Sequence, residues 1–134
     1  MNNRRKMLGI VTGFFLGLRA KAQTPARAPA SELGRHELTG VNAGMEVVLA
    51  DVTAPAGAAG GAHRHPGFVM GYVLEGELKF AINGGTPQVV KTGGTFFEPI
   101  GALHTTSASA NPNAPVRFLA FMVVPKGSRL SLPA

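Results

Sequence analysis

The stretch GAHRHPGFVMGYVLEGE (Gly61–Glu77) places two histidines, His63 and His65, two residues apart at the start of a segment rich in β-formers. On a strand, residues two apart point to the same face. Two strand rises separate their Cα atoms by about 6–7 Å. Imidazoles at that separation can converge on one ion, at about 2.0–2.1 Å from each nitrogen for a zinc-like metal. Arg64 between them points the other way. A third histidine, His104, closes the turn-rich stretch PIGALH (Pro99–His104). The fourth, His36, lies in the lead-in region and reads as unrelated to the site. The chain has no cysteine, so a metal here would be held by nitrogen and oxygen ligands, with no thiolate.

Outward from this stretch the chain reads as short strands punctuated by turns. MEVVLADVT (Met45–Thr53) is rich in β-branched residues, and PAGAAGGA (Pro55–Ala62) is a loop. FVMGYVLEGELKFAIN (Phe68–Asn83) reads as two strands with a tight turn near Glu75-Gly76. Asn83-Gly84-Gly85 is a hairpin signal, because these residues tolerate positive φ. PQVVK, the Gly93-Gly94 turn and TFFEP follow, and VRFLAFMVVP (Val116–Pro125) predicts a long apolar, central strand. Many short strands, frequent glycine turns and no helical periodicity predict an all-β sandwich or barrel.

The N-terminus reads differently. MNNRRKMLGIVTGFFLGLRAKAQ has a basic start, an apolar run from Met7 to Leu18 and Ala20-Lys21-Ala22 before Gln23, the order of a secretory signal. The run is short for a bilayer span, which needs about 20 apolar residues. Arg4-Arg5-Lys6-Met7-Leu8 also resembles a twin-arginine export signal, with Asn3 and Met7 departing from that pattern. The expectation is a signal over residues 1–22 cleaved near Ala22, a flexible lead over 23–35, a barrel over 36–125 and a tail over 126–134. The mature protein would be periplasmic or secreted, with no membrane span. Five of the thirteen basic residues lie in the signal and all seven acids lie after it. The mature chain therefore carries eight basic against seven acidic residues, a net charge of +1. A nucleic-acid footprint needs a clustered basic face, and none remains.

These motifs resemble those of a small single-domain cupin, which implies a double-stranded β-helix, a jelly-roll barrel. The first cupin motif runs Gly, five residues, His-x-His, three or four residues, Glu, six residues, Gly. His63, His65 and Gly76 match it, with the glycine-rich stretch 57–61 standing in for the leading glycine. The second runs Gly, five residues, Pro-x-Gly, two residues, His, three residues, Asn, matched by Gly93, Pro99, Gly101 and His104. Two positions depart. The motif-one Glu falls at Val69, and the motif-two Asn at Ala108.

The resemblance implies His63, His65 and His104 as ligands of a divalent transition metal (Fe, Mn, Cu, Ni or Zn). Loss of the carboxylate at 69 implies a more positive centre that favours anionic, chelating ligands. Glu98, just before Pro99, is the candidate for a replacement ligand or a catalytic base. The plainer reading is an exposed strand-end carboxylate, since charged side chains are mostly exposed. Tyr72 reads as packing, pointing out if Val69 points in. Arg64 reads either as a holder of a substrate carboxylate or as a surface or interface arginine. The functional expectation is an exported small-molecule metalloenzyme of oxygenase type. The alternative is a non-catalytic module that binds a small ligand or metal. The resemblance also implies a homodimer, formed by pairing sheets or by exchanging a segment near residues 36–40.

Overall fold

The computed structural model describes residues 28–134. The expected signal and the start of the expected lead lie outside the described residues. Among the described residues, ten strands form two five-stranded sheets, and every strand pair is antiparallel. The strands are β1 (Ala30–Glu37), β2 (Met45–Ala54), β3 (His63–Arg64), β4 (Phe68–Glu75), β5 (Glu77–Ile82), β6 (Gln88–Lys91), β7 (Thr95–Glu98), β8 (Leu103–Ser109), β9 (Val116–Pro125) and β10 (Leu132–Pro133). One sheet has the order β1-β2-β9-β4-β7 and the other β10-β3-β8-β5-β6. The predicted all-β jelly roll is the observed architecture.

β9 is the middle strand of its sheet, as its apolar sequence predicts. Its side chains alternate between faces. Val116, Phe118, Ala120, Met122 and Val124 point into the core, and Arg117 and Phe121 point out. β2 contributes Val48, Ala50 and Ala54 to the same core, and β4 contributes Val69 and Val73. Leu78 and Phe80 on β5 close it from the second sheet. Tyr72 points outward, as parity with Val69 requires. Gly76, with φ of +78°, turns the chain from β4 in one sheet to β5 in the other. The β5–β6 hairpin closes through Asn83 and Gly84, both at positive φ, which is the turn that Asn-Gly-Gly signals.

Two boundaries differ from the sequence reading. β1 begins at Ala30, inside the segment expected to be a flexible lead, and pairs with β2 through Glu37. This edge strand is mostly exposed, so it carries no apolar alternation to betray it. Its ladder bonds and a half-buried ion pair between Arg35 and Glu46 hold it in place. The expected tail is also bound. Gly127 donates its N–H to Glu46 Oε1 at 3.2 Å, and Leu132 and Pro133 pair with Arg64 and His63 of β3. Residues near both ends of the described chain, Ala28–Ala30 and Leu130, line the cavity described next.

Candidate metal centre

A cavity of about 460 Å³ opens between the sheets. Val69, Phe96, Phe118 and Met122 supply much of its apolar wall. His63, His65, His104, Glu98 and Ser107 supply its polar lining. The volume lies within the range of small-molecule sites, about 300–1,000 Å³.

The three histidines come from two separate stretches, joined by one register. His63 on β3 is the direct partner of His104 on β8. His65 follows two residues on and faces the same side. The ring centroids of His63 lie 4.9 Å from those of His65 and 5.0 Å from those of His104. One ligand atom from each ring lies within 4.8 Å of the others. Phe80 packs 5.1 Å from His104 and 4.8 Å from Phe96, which in turn packs edge-on against Phe118. This aromatic floor holds the imidazole in place.

Backbone carbonyls set the tautomers. His63 Nδ1–H donates to the Gly61 carbonyl at 2.9 Å, and His65 Nδ1–H to the Leu130 carbonyl at 2.5 Å. His104 Nε2–H donates to the Thr106 carbonyl at 2.9 Å. A carbonyl can only accept, so each ring carries its proton on the side away from the cluster. The nitrogens that converge are lone pairs. His63 Nε2 and His65 Nε2 stand 3.2 Å apart, a contact that sets two acceptors against each other unless one ring takes a second proton or a cation lies between them. A second proton is opposed at His63. Burial pushes its pKa below the ordinary histidine value, and the nearby His104 and His65 add to this against the Gly61 hydrogen bond. Metal-ligating histidines are held in this manner, with the second ring nitrogen donating to a carbonyl or carboxylate.

Glu98 corrects the expectation of an exposed carboxylate. It is only 2% exposed and faces the cluster. On β7 the inward positions are Phe96 and Glu98, while Thr95 and Phe97 point out. Glu98 Oε1 lies 3.2 Å from His104 Nδ1, and Oε2 lies 3.8 Å from His65 Nε2. The first distance is that of an ion pair, yet neither Oε2 nor His104 Nδ1 has a hydrogen-bond partner. The His104 ring is therefore not turned to donate into the carboxylate. An acceptor faces an acceptor across the gap. The expectation of an uncompensated positive centre falls with it, because a carboxylate is present beside the histidines.

Arg64 turns away from the cavity and donates Nη1–H to the Gly101 carbonyl at 2.5 Å, tying the Pro-x-Gly turn to β3. His36 is exposed on β1 and takes no part. The site groups that sequence reasoning missed are the carbonyls of Gly61, Leu130 and Thr106, which orient His63, His65 and His104. No signal in a backbone carbonyl's own residue type announces such a role.

The sequence pattern of the cupin domain matches residues 50–124, more than half of the chain. The chain belongs to the cupin family. No curated protein sequence matches it. Among solved structures, this cupin resembles the DMSP lyase DddQ of Ruegeria pomeroyi, at 21% identity and a TM-score of 0.64, over 88% of this chain and 57% of that one. It thus spans little more than half the length of that lyase. A conserved protein of Klebsiella pneumoniae with a double-stranded β-helix domain aligns at 20% identity and a TM-score of 0.63, over 87% of this chain and 90% of that one. A predicted oxalate decarboxylase of Thermotoga maritima aligns at 27% identity and a TM-score of 0.50, over 60% of this chain and 80% of that one. At these identities the first two likenesses speak for the fold alone.

Proposed function

We propose that this cupin is a small-molecule metalloenzyme of oxygenase type, with His63, His65 and His104 holding a divalent transition metal. The observation that carries the reading is the convergence of three imidazole acceptors, within 4.8 Å, in the lining of an apolar cavity. Bound there, the metal would supply Lewis-acid or redox chemistry to a small organic molecule. The residues themselves do the rest. The carbonyls of Gly61, Leu130 and Thr106 keep the rings in the metal-binding tautomer. Phe96, Phe118, Val69 and Met122 take the apolar body of the substrate and exclude water. With three neutral histidines and one carboxylate, a divalent ion leaves the centre with one net positive charge, which favours an anionic, chelating group such as an enolate or carboxylate. Glu98, buried beside the cluster, supplies the carboxylate of that charge balance.

Export through the N-terminal signal to the periplasm or beyond belongs to the same proposal, and rests on the order of basic, apolar and small residues in 1–22. Among the described residues no helix is long and apolar enough to cross a membrane. We also propose a homodimer. Its support is an exposed apolar face in which Met70 lies opposite both Phe97 and Phe121 in the sheet, beside Tyr72.

The experiment is metal analysis of the purified protein followed by oxygen uptake with a panel of small enols, diketones and aromatic acids. Iron, copper or manganese with substrate-dependent oxygen consumption is the expected result. Turnover without oxygen would move the assignment to a lyase or decarboxylase. Tight ligand binding with no turnover would make this a binding module.

A further inference from the structure

The motif position that normally carries the carboxylate is Val69, and Val69 pairs directly with Glu98 across the β4–β7 ladder. Residues paired in this way have side chains on the same face, with Cβ atoms about 4.5–5.5 Å apart. Both face inward, with Val69 at 1% and Glu98 at 2% exposure. A carboxylate on 98 therefore enters the space beside the one that a carboxylate on 69 would use, from the neighbouring strand. We propose that Glu98 is the fourth protein ligand of this centre, a carboxylate moved one strand across the sheet. The proposal rests on the three-histidine reading above.

Three observations support it besides the register. Glu98 Oε2 is buried and has no hydrogen-bond partner. The nitrogen nearest to Oε1, His104 Nδ1 at 3.2 Å, is likewise without one, and its ring proton is spent on Thr106. Glu98 Oε2 also lies 3.8 Å from His65 Nε2, so the one carboxylate faces two of the three rings. Unsatisfied buried acceptors cost free energy, and a cation placed among them would satisfy several at once. The glutamate also explains why valine is accommodated at 69. A second carboxylate there would stand directly opposite Glu98, and like charges paired across strands are destabilising.

The test is a Co²⁺ titration of the full, chelator-treated protein, read by isothermal titration and by visible absorption, whose d–d bands report coordination. Glu98→Gln keeps size and shape. It should weaken Co²⁺ binding at least about tenfold and shift the d–d bands, while circular dichroism shows an unchanged fold. Glu98→Ala should do the same. The swap Val69→Glu with Glu98→Val, which returns the carboxylate to the motif position, should bring affinity back toward that of the wild type. His104→Ala should abolish binding in every background. If Glu98→Gln and Glu98→Ala bind Co²⁺ with wild-type affinity and spectrum while His104→Ala does not bind, Glu98 is no ligand and the three-histidine centre stands. If His104→Ala also binds as the wild type does, the three-histidine reading itself has failed.

Discussion

Replacing Glu98 with methionine should make the metal-free protein more stable and the metal-loaded protein less so. In the metal-free state two buried acceptors, Glu98 Oε2 and His104 Nδ1, lack partners. Each such group costs about 1–3 kcal/mol. Glu98→Met removes the first and takes away the charge that faces the second, in a side chain of similar length. Imperfect packing offsets about 1 kcal/mol of the gain. The net expectation is a stabilisation of up to about 2 kcal/mol in the presence of chelator, the difference of those two magnitudes. For a domain of this size that raises Tm by roughly 4–8 °C per kcal/mol. Metal reverses the order. A ligand at a hundredfold excess over its Kd stabilises the wild type by about 2.7 kcal/mol, and the variant gains far less. The assay is urea denaturation of both proteins with chelator and with saturating Co²⁺. A variant that is less stable than the wild type by more than about 1 kcal/mol in chelator would refute the reasoning. That result would mean the carboxylate is a favourable partner of the side chains around it rather than an acceptor awaiting a cation.

Acid should destabilise the metal-free domain through His63. Its pKa in the fold lies below the ordinary value, so the related stability is complete above the unfolded pKa of about 6.5 and is lost as pH falls below it. Urea midpoints at pH 7.5 and 5.5 in chelator should differ less in His63→Gln than in the wild type; an equal drop in both would remove His63 as the cause. Gly71→Ala should lower stability by about 1–3 kcal/mol, because a Cβ there would sit 2.0 Å from the Phe96 ring; an unchanged Tm would show that Phe96 yields freely. Ending the chain after Lys126 removes the Leu130 carbonyl from His65 and the β10 pairing from β3. Metal affinity should fall about 10–100-fold, and unchanged Co²⁺ binding would show that the C-terminal segment does not orient the ring. Met70→Lys combined with Phe121→Lys should convert the proposed dimer to a monomer in light scattering without loss of metal; a wild type that is already monomeric would end that proposal.

Much of the barrel was legible because its residues obey a period of two. β9 alternates cleanly, the Asn83-Gly84 turn announces the hairpin, and the spacing from His63 to His104 carries both cupin motifs. β7 was not legible to the same depth. Its sequence is Thr-Phe-Phe-Glu, and two adjacent phenylalanines fit either face, so parity alone leaves Glu98 pointing in or out. Pairing with β4 decides it, by setting Glu98 opposite the inward Val69. β1 and β10 escaped for a different reason. Their ladder bonds come from the backbone, and their exposed side chains carry no pattern.

From its residues alone this protein reads as an all-strand barrel with three imidazoles as candidate ligands, since local alternation, turn chemistry and spacing are properties of the chain itself. Only the tertiary structure brought a carboxylate from a neighbouring strand and a carbonyl from the C-terminal segment to that centre. The physical reason is that which groups meet across a sheet depends on register between distant segments. A side chain's identity does not say which partner it will face.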